Sequence, residues 1–287
     1  MILVDYNQLV IANFMQLQKH FKSVDDVERG HLFRHMILTN VRMLSRKFKS
    51  EWGEFIFCCD GKNNWRKDIF QHYKANRKKD REKNPQNIDW QSLFRLMDEV
   101  RSEIDSELPY KVMSNLACEA DDIIAILCKH YHKAGKILII SSDKDFIQLH
   151  KYHNVSQWSP LSKTFLTVPN PNDFKVNLIL KGDRSDGVPN VLSPDDTFVA
   201  NQRQRKLTKK KLDEWISADN LEAVLEGEHF RNFKRNQKMI DLDYVPEMVE
   251  INIITHYNKD HFTGRNKMLN YFIKHRLREL TESIQEF

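Results

Sequence analysis

Short apolar runs alternate with longer amphipathic stretches through the first 150 residues. Ile2-Leu3-Val4, Phe55-Ile56-Phe57-Cys58-Cys59 and Ile137-Leu138-Ile139-Ile140 are continuous and rich in β-branched or aromatic residues. Such runs read as strands of a parallel sheet buried on both faces. Between them, residues 8–20 (QLVIANFMQLQKH), 31–49 (HLFRHMILTNVRMLSRKFK) and 89–104 (DWQSLFRLMDEVRSEI) repeat apolar positions every three to four residues, the period of an amphipathic helix. Residues 118–131 (CEADDIIAILCKHY) open on acids, which suit a helix N-terminus, and continue as another amphipathic helix. Strands alternating with helices predict an α/β core, a mostly parallel central sheet flanked by helices. After the turn-rich PNPNDFK at 169–175 the pattern is mostly helical. The chain is expected to divide into an α/β core over 1–175 and a smaller helical domain over 176–287.

Each of the three runs is closed by an aspartate: Asp5, Asp60 and Asp143, the last followed by Asp145. In open parallel sheets ligands sit beyond the carboxyl ends of the strands. Three separate strands are thus expected to aim carboxylates at one crevice, joined there by Glu119, Asp121 and Asp122. Two like unit charges ~4 Å apart repel by ~4 kcal/mol at an effective dielectric of about 20, so such a cluster needs a cation or protons. No His or Cys stands among these acids at zinc-ligand spacing, and an all-oxygen set suits Mg²⁺ or Mn²⁺. The Asp143-x-Asp145 doublet has the spacing to bridge two ions, and two-metal sites clamp the attacking and leaving oxygens of a phosphoryl displacement.

Composition adjusts this picture only slightly. The chain has 287 residues and a net charge of +5 from 45 basic and 40 acidic side chains, a weak sign of an anionic partner. The excess is concentrated at 62–83 (KNNWRKDIFQHYKANRKKDREK), immediately after Asp60. Basic side chains interleaved with Trp65, Phe70, His72 and Tyr73 suit phosphate neutralisation and base stacking. A second basic run, Arg203 to Lys211, reads equally as solvated surface or as a DNA-tracking loop. VNLILKGDRSDGVPN at 176–190 predicts a short helix stopped at Gly182, then a turn carrying Asp183 and Asp186. A plain Asp/Gly/Pro turn and a phosphate-gripping helix–turn–helix both fit that pattern. Cys58, Cys59, Cys118 and Cys128 include no C-x-x-C pair and read as reduced core residues of a cytoplasmic protein. No apolar run approaches ~18 residues, and MILVDYNQ lacks the features of a signal peptide.

The motifs ILVD, CCDG, WRKDIFQHYKANR, CEADDIIA, KILIISSDKDF, HNVSQWSP and ILKGDRSDGV, with DLDYVPE and LTESIQEF near the end, resemble the 5′-nuclease, or flap endonuclease, superfamily. Within it the likeness is greatest to the branch formed by the ribonucleases H of T-even-type bacteriophages, and it covers nearly the whole chain. The resemblance implies Asp5, Asp60, Glu119, Asp121 and Asp143 as one metal group and Asp145, Asp183 and Asp186 as a second, with Asp121 and Asp122 near both. It implies that Arg66 and Lys74 hold the scissile phosphate in a basic helical gateway over about 62–90, with Tyr73 and Arg77 in the same motif. Lys181, Gly182 and Gly187 match the start of a helix–turn–helix-like element that grips duplex backbone. The glycine-rich second half usual in the family is replaced by NVLSPDDTF, which puts a tightly bound phosphate or potassium ion there in doubt.

The activity so implied is a Mg²⁺-dependent 5′-to-3′ exonuclease and flap endonuclease using two ions, with Lys74, Arg66, Asp121 and Asp143 as the catalytic group. Its substrates would be RNA–DNA hybrids, duplex DNA and 5′-flap DNA, and its task the removal of RNA primers from lagging-strand fragments. A monomer in the host cytoplasm of a phage is expected. A replicative clamp and a single-strand-binding protein follow as partners from the family, although no peptide here marks either. The alternatives are a PIN-type endoribonuclease on structured RNA, against which the long basic stretch and KGDRSD speak, and a non-catalytic nucleic-acid-binding protein, which would be expected to have lost some carboxylates. A phosphatase of the aspartyl-phosphate type needs D-x-D at the first strand, where this chain has Asp5-Tyr6-Asn7.

Overall fold

The computed structural model of the chain describes residues 1–21, 24–77, 81, 88–218, 220–259 and 265–287. Six strands form one sheet in the order β3-β2-β1-β4-β5-β6. They are β1 (Ile2–Asp5), β2 (Phe55–Cys58), β3 (Lys111–Met113), β4 (Ile137–Ile140), β5 (Val155–Ser159) and β6 (Thr164–Leu166). The first five run parallel and β6 is antiparallel at the edge. The three predicted strands are the central ones. Their continuous apolar character follows from burial on both faces: Ile2 and Val4 point into one core and Leu3 into the other, and β2 and β4 alternate likewise.

Helices α1 (Tyr6–Phe21), α2 (Asp26–Trp52) and α4 (Trp90–Glu107) cover one face, and α5 (Ala120–Tyr131) the other. The short α3 (Trp65–Ile69) follows β2. A 3₁₀ helix (Lys144–Lys151) follows β4, with the Asp143 carboxylate capping it at the Asp145 N–H, 2.9 Å away. All four cysteines are free and buried. Among the described residues no helix is long and apolar enough to cross a membrane.

The later part is helical: α6 (Pro171–Lys181), α7 (Lys209–Ile216), α8 (Leu221–Val224), α9 (Gly227–Ile240), α10 (Glu247–Tyr257), α11 (Arg265–Lys274) and α12 (Arg278–Glu282). The boundary expected at 175/176 falls inside α6, because Asn170 caps that helix and Pro171 starts it. The tail also returns to the first part. Met268, Tyr271, Phe272, Leu277, Leu280 and Phe287 complete the core under α2 and α4. A third, smaller core joins Phe70 and Tyr73 to α6, α7 and α9.

The helix–turn–helix-like expectation is corrected. After α6 the chain turns at Gly182 (φ +66°), closes a short bridge between Asp183 and Val188, and forms no helix again until Lys209. Side chains of α9 hold this segment instead. Asn232 donates to the carbonyls of Val191 (3.0 Å) and Ser193 (3.2 Å). Asn236 donates to those of Ile179 (2.8 Å) and Pro189 (2.9 Å), and Arg235 to Pro189 (2.8 Å). Pro189 and Pro194 have no N–H to donate to a helical ladder.

Candidate active site

Asp5, at the end of β1, accepts from the Gln8 N–H at 3.0 Å and so caps α1; its other oxygen accepts from Ser141 Oγ at 3.1 Å. Asp60, just after β2, accepts from the Ala120 N–H (2.9 Å) at the start of α5 and from Asn7 Nδ2 (2.8 Å). Asp121 stands in the first turn of α5, and Asp143 and Asp145 follow β4. Asp183 accepts from the backbone N–H (2.6 Å) and hydroxyl (2.7 Å) of Ser185, which holds the turn after α6. Thus five chain segments deliver seven aspartates, Asp5, Asp60, Asp121, Asp143, Asp145, Asp183 and Asp186, to one cleft of about 760 Å³.

The crowding leaves its mark on protonation. Burial, then the charges of Asp60 and Asp143, pushes Asp5 up to about 7. Asp121 and Asp145 rise well above the usual carboxylate range through burial and neighbouring acids, Asp143 above all. Asp143 itself rises by burial and by Asp186 and Asp183. Among the described residues no group of three or more acids, His or Cys is already arranged to hold an ion. The donor set nevertheless fits a hard cation: it is all oxygen, it converges on one cleft, and its charges repel.

Asp186 differs. Burial opposes its ionisation, but Lys74 and Arg77 outweigh that and hold it below the ordinary value. Arg77 Nη2 bonds its carboxylate, Lys74 Nζ lies 3.6 Å from it, and Tyr73 Oη donates to it at 2.9 Å. Lys74 also pairs with Glu119, and the single Tyr73 hydroxyl proton is shared between Asp186 and Glu119, whose oxygen lies 2.7 Å away. The backbone follows the same pattern: the Lys74 N–H donates to Asp186 O at 2.7 Å, and Asn76 to Arg184 O at 3.2 Å. The strap of residues 70–77 is therefore fastened to the KGDRSDG turn. Gly187 lies in that seam with φ +73°, where a Cβ would stand 2.8 Å from His72 O.

Three expected contacts are not where the resemblance implied. Arg66 is 1% exposed and bonds Asp122, Glu119 and the Met239 carbonyl, so it does not reach the cleft surface. Asp122 is 0% exposed, consumed by Arg66, by Trp65 Nε1 (3.1 Å) and by the N–H of Glu119 in a capping box. Tyr73 is buried against Glu119 and Asp186 and presents no free face. Glu119 adjoins the acids but faces this basic layer. Lys74 and Arg77 do line the cleft. Lys181 is exposed at the end of α6. Lys78, Lys79 and Lys83 of the basic stretch lie outside the described residues.

The sequence reading passed over several residues. Ser141 orients Asp5, and the buried Gln157 of β5 donates to the carbonyls of Ser141 (2.9 Å) and Asp143 (2.6 Å), fixing the strand end that carries the doublet. Asn7 holds Asp60. Trp90 and Phe94 line the same cleft as the acids, beside Arg81 of the basic stretch. An amide on a strand facing its neighbour leaves no signal in one-dimensional spacing. The two aromatics have the i, i+4 spacing of any core-facing helix.

This sheet with its acidic strand ends is the architecture of a 5′-nuclease, and the chain belongs to the 5′–3′ exonuclease family. The model of that family's N-terminal, resolvase-like domain matches residues 1–176, and that of the T4 RNase H C-terminal region matches 173–287. Ribonuclease H of Enterobacteria phage T4 is 35% identical over 296 residues, spanning 99% of this chain and 95% of its own length. A 5′–3′ exonuclease of Buchnera aphidicola (Schizaphis graminum) is 31% identical over 200 residues, 66% of this chain and 64% of that protein. Among solved structures, a bacteriophage T5 flap endonuclease in a pseudo-enzyme–product complex with DNA and metal ions superposes with a TM-score of 0.62 at 15% identity, covering 99% of this chain and 97% of that one. The T5 5′-exonuclease with bound zinc gives 0.59 at 15% identity, covering 100% and 98%. At that identity the likeness is one of fold.

Proposed function

We propose that the protein is a 5′-to-3′ exonuclease and flap endonuclease that hydrolyses RNA–DNA hybrids, duplex DNA and 5′-flap DNA, and that it removes RNA primers during replication. One observation carries this reading: seven aspartates from five segments share a cleft with Lys74 and Arg77. Asp5, Asp121 and Asp143 would hold one divalent ion, with Asp60 at its rim, and Asp145, Asp183 and Asp186 a second. Mg²⁺ is the proposed ion, with Mn²⁺ a substitute. Bound there, the ions would supply a nucleophilic hydroxide near neutral pH and charge stabilisation for the departing oxygen.

The chain's own residues do the rest. Gln8 and Ser141 hold the Asp5 carboxylate, Ala120 holds that of Asp60, and Gln157 holds the main chain at Asp143, which limits how far these groups must move to meet an ion. On substrate entry, the Lys74 ammonium exchanges Glu119 and Asp186 for the scissile phosphate and offsets the charge that builds there. Arg77, at the cleft mouth, orients the adjacent phosphate. Water adds to phosphorus, the P–O3′ bond breaks, and the 3′-oxygen leaves as a hydroxyl opposite a new 5′-phosphate. Arg66 and Asp122 serve as the buried tie that sets the strap against α5.

The test is a labelled 5′-flap and a nicked RNA–DNA hybrid, each incubated with Mg²⁺ and with chelator. Mg²⁺-dependent release of 5′-phosphorylated products is expected. Equal cleavage after exhaustive chelation would overturn the assignment.

A further inference from the structure

Trp90 and Phe94 stand one turn apart at the start of α4, with ring centroids 5.9 Å apart and planes tilted by 32°. The Arg81 guanidinium lies over both, 5.9 Å from the Trp90 ring and 5.5 Å from that of Phe94. Both rings line the same cleft as the aspartates, and Ile11 and Ala12 of α1 continue the apolar wall. Hydrolysis of a phosphodiester by the acids and Lys74 uses none of these side chains. Core packing accounts for part of Trp90, which rests against the main core. It does not account for Phe94, which remains 37% exposed, nor for a cation set over both rings.

A cleft that joins phosphate chemistry to a pair of aromatic rings is bipartite in the way a nucleotide is. Every nucleobase has a π-face, and stacking on an aromatic side chain is insensitive to sequence. Arginine adds attraction to the rings and pairs with phosphate. Bases within a duplex already stack on their neighbours, so only an unpaired nucleotide offers a free face. A wholly apolar occupant would have to sit beside seven carboxylates, which favours a charged ligand that brings its own cations. The cleft volume lies within the roughly 300–1,000 Å³ usual for ligand sites.

We infer that the Trp90–Phe94 face, with Arg81 above it, is a stacking site for an unpaired nucleobase of the substrate's 5′ strand, placed so that the phosphate attached to that nucleotide reaches the acidic wall. This rests on the nuclease reading above and adds the part of the substrate that the aromatic wall recognises. It makes the protein selective for strands whose end is frayed or displaced, and indifferent to which base is present.

The test uses the full chain carrying Asp143→Asn, with Mg²⁺ and a 5′-flap oligonucleotide. A single 2-aminopurine flanked by abasic positions sits in the flap, and a distal dye reports binding by anisotropy. Fluorescence of the 2-aminopurine is expected to fall as anisotropy saturates. Phe94→Ala is expected to abolish the fall while saturation is still reached, and Phe94→Tyr to retain it. With the Asp143 enzyme, a base-bearing flap is expected to exceed an abasic one by about tenfold in kcat/KM, the scale of one lost stack. Phe94→Ala should bring that ratio near one. A flap that saturates without quenching, or quenching and a ratio unchanged by Phe94→Ala and by Trp90→Leu, overturns the stacking site and leaves the nuclease reading intact. A flap that never binds removes both.

Discussion

Arg66 grips Asp122 through two hydrogen bonds, Nη2 to Oδ1 at 2.7 Å and Nη1 to Oδ2 at 2.9 Å, with neither residue more than 1% exposed. Its Nε donates to Met239 O at 3.0 Å, so one guanidinium ties α3, α5 and α9 together. Removing one partner of a buried pair strands the other charge, at about 3–5 kcal/mol. Arg66→Ala is expected to lower the unfolding free energy by that amount in urea, and adding Asp122→Asn to recover part of it. A loss under ~1 kcal/mol would place Arg66 at the surface after all.

Among the described residues, Lys74 is the basic side chain deepest among the acids that still opens to the cleft. Lys74→Ala is expected to slow single-turnover cleavage by about 10²–10³-fold, the usual effect of deleting one donor to developing charge. Flap affinity should change much less. An affinity loss equal to the rate loss would make Lys74 a binding residue only.

The acidic cluster makes opposite demands on proton and metal. Asp5, Asp121, Asp143 and Asp145 have folded-state pKa values above their unfolded ones, with Asp5 at about 7. For these four groups the chelated native state binds more protons than the unfolded chain above about pH 4, so their contribution to stability falls as pH rises toward 7. His132, His150, His256 and His275, held below their ordinary value by burial, act in reverse as pH drops below about 6.5. Asp195 and Asp243, held low against opposing burial by Arg235 and Arg231 and by Lys151 and Lys175, act in reverse and lose their contribution as pH drops below about 4. Thermal melts in chelator should thus peak in mildly acidic buffer. Added Mg²⁺ should raise Tm most at pH 8, and Asp143→Asn should shrink that gain while raising Tm without metal. A chelated protein most stable at pH 8 would contradict this.

Gly187 closes the seam between the strap and the acidic turn. A methyl group there would meet His72 O at 2.8 Å on a backbone with φ +73°. Gly187→Ala is expected to cost about 1–3 kcal/mol of stability, the scale of a strained backbone position. It should also displace Asp186 from Lys74 and Arg77, which would appear as an increase in KM for flap substrate. Unchanged stability and KM would mean that strap and turn move independently.

The sequence by itself determined the central sheet, because strands buried on both faces must be continuously apolar, and β1, β2 and β4 are. β3 and β6 escaped because they are only three residues long, and β6 lies exposed at the edge with no need of an apolar pattern; β5 has five residues but breaks its apolar run with Ser156 and Gln157. Aspartates at strand ends were legible because a parallel sheet sends all its carboxyl ends to one side. Which acids share the cleft was decided only by tertiary structure. Asp121 and Asp122 are neighbours in one helical turn, about 100° apart around its axis, so one faces the cleft and the other the interior, where Arg66 awaits it. Tertiary packing likewise buried Arg66 while leaving the half-buried Lys74 on the cleft wall. It also brought Trp90 and Phe94 into the same cleft as the acids, a pairing of distant segments that no local period encodes.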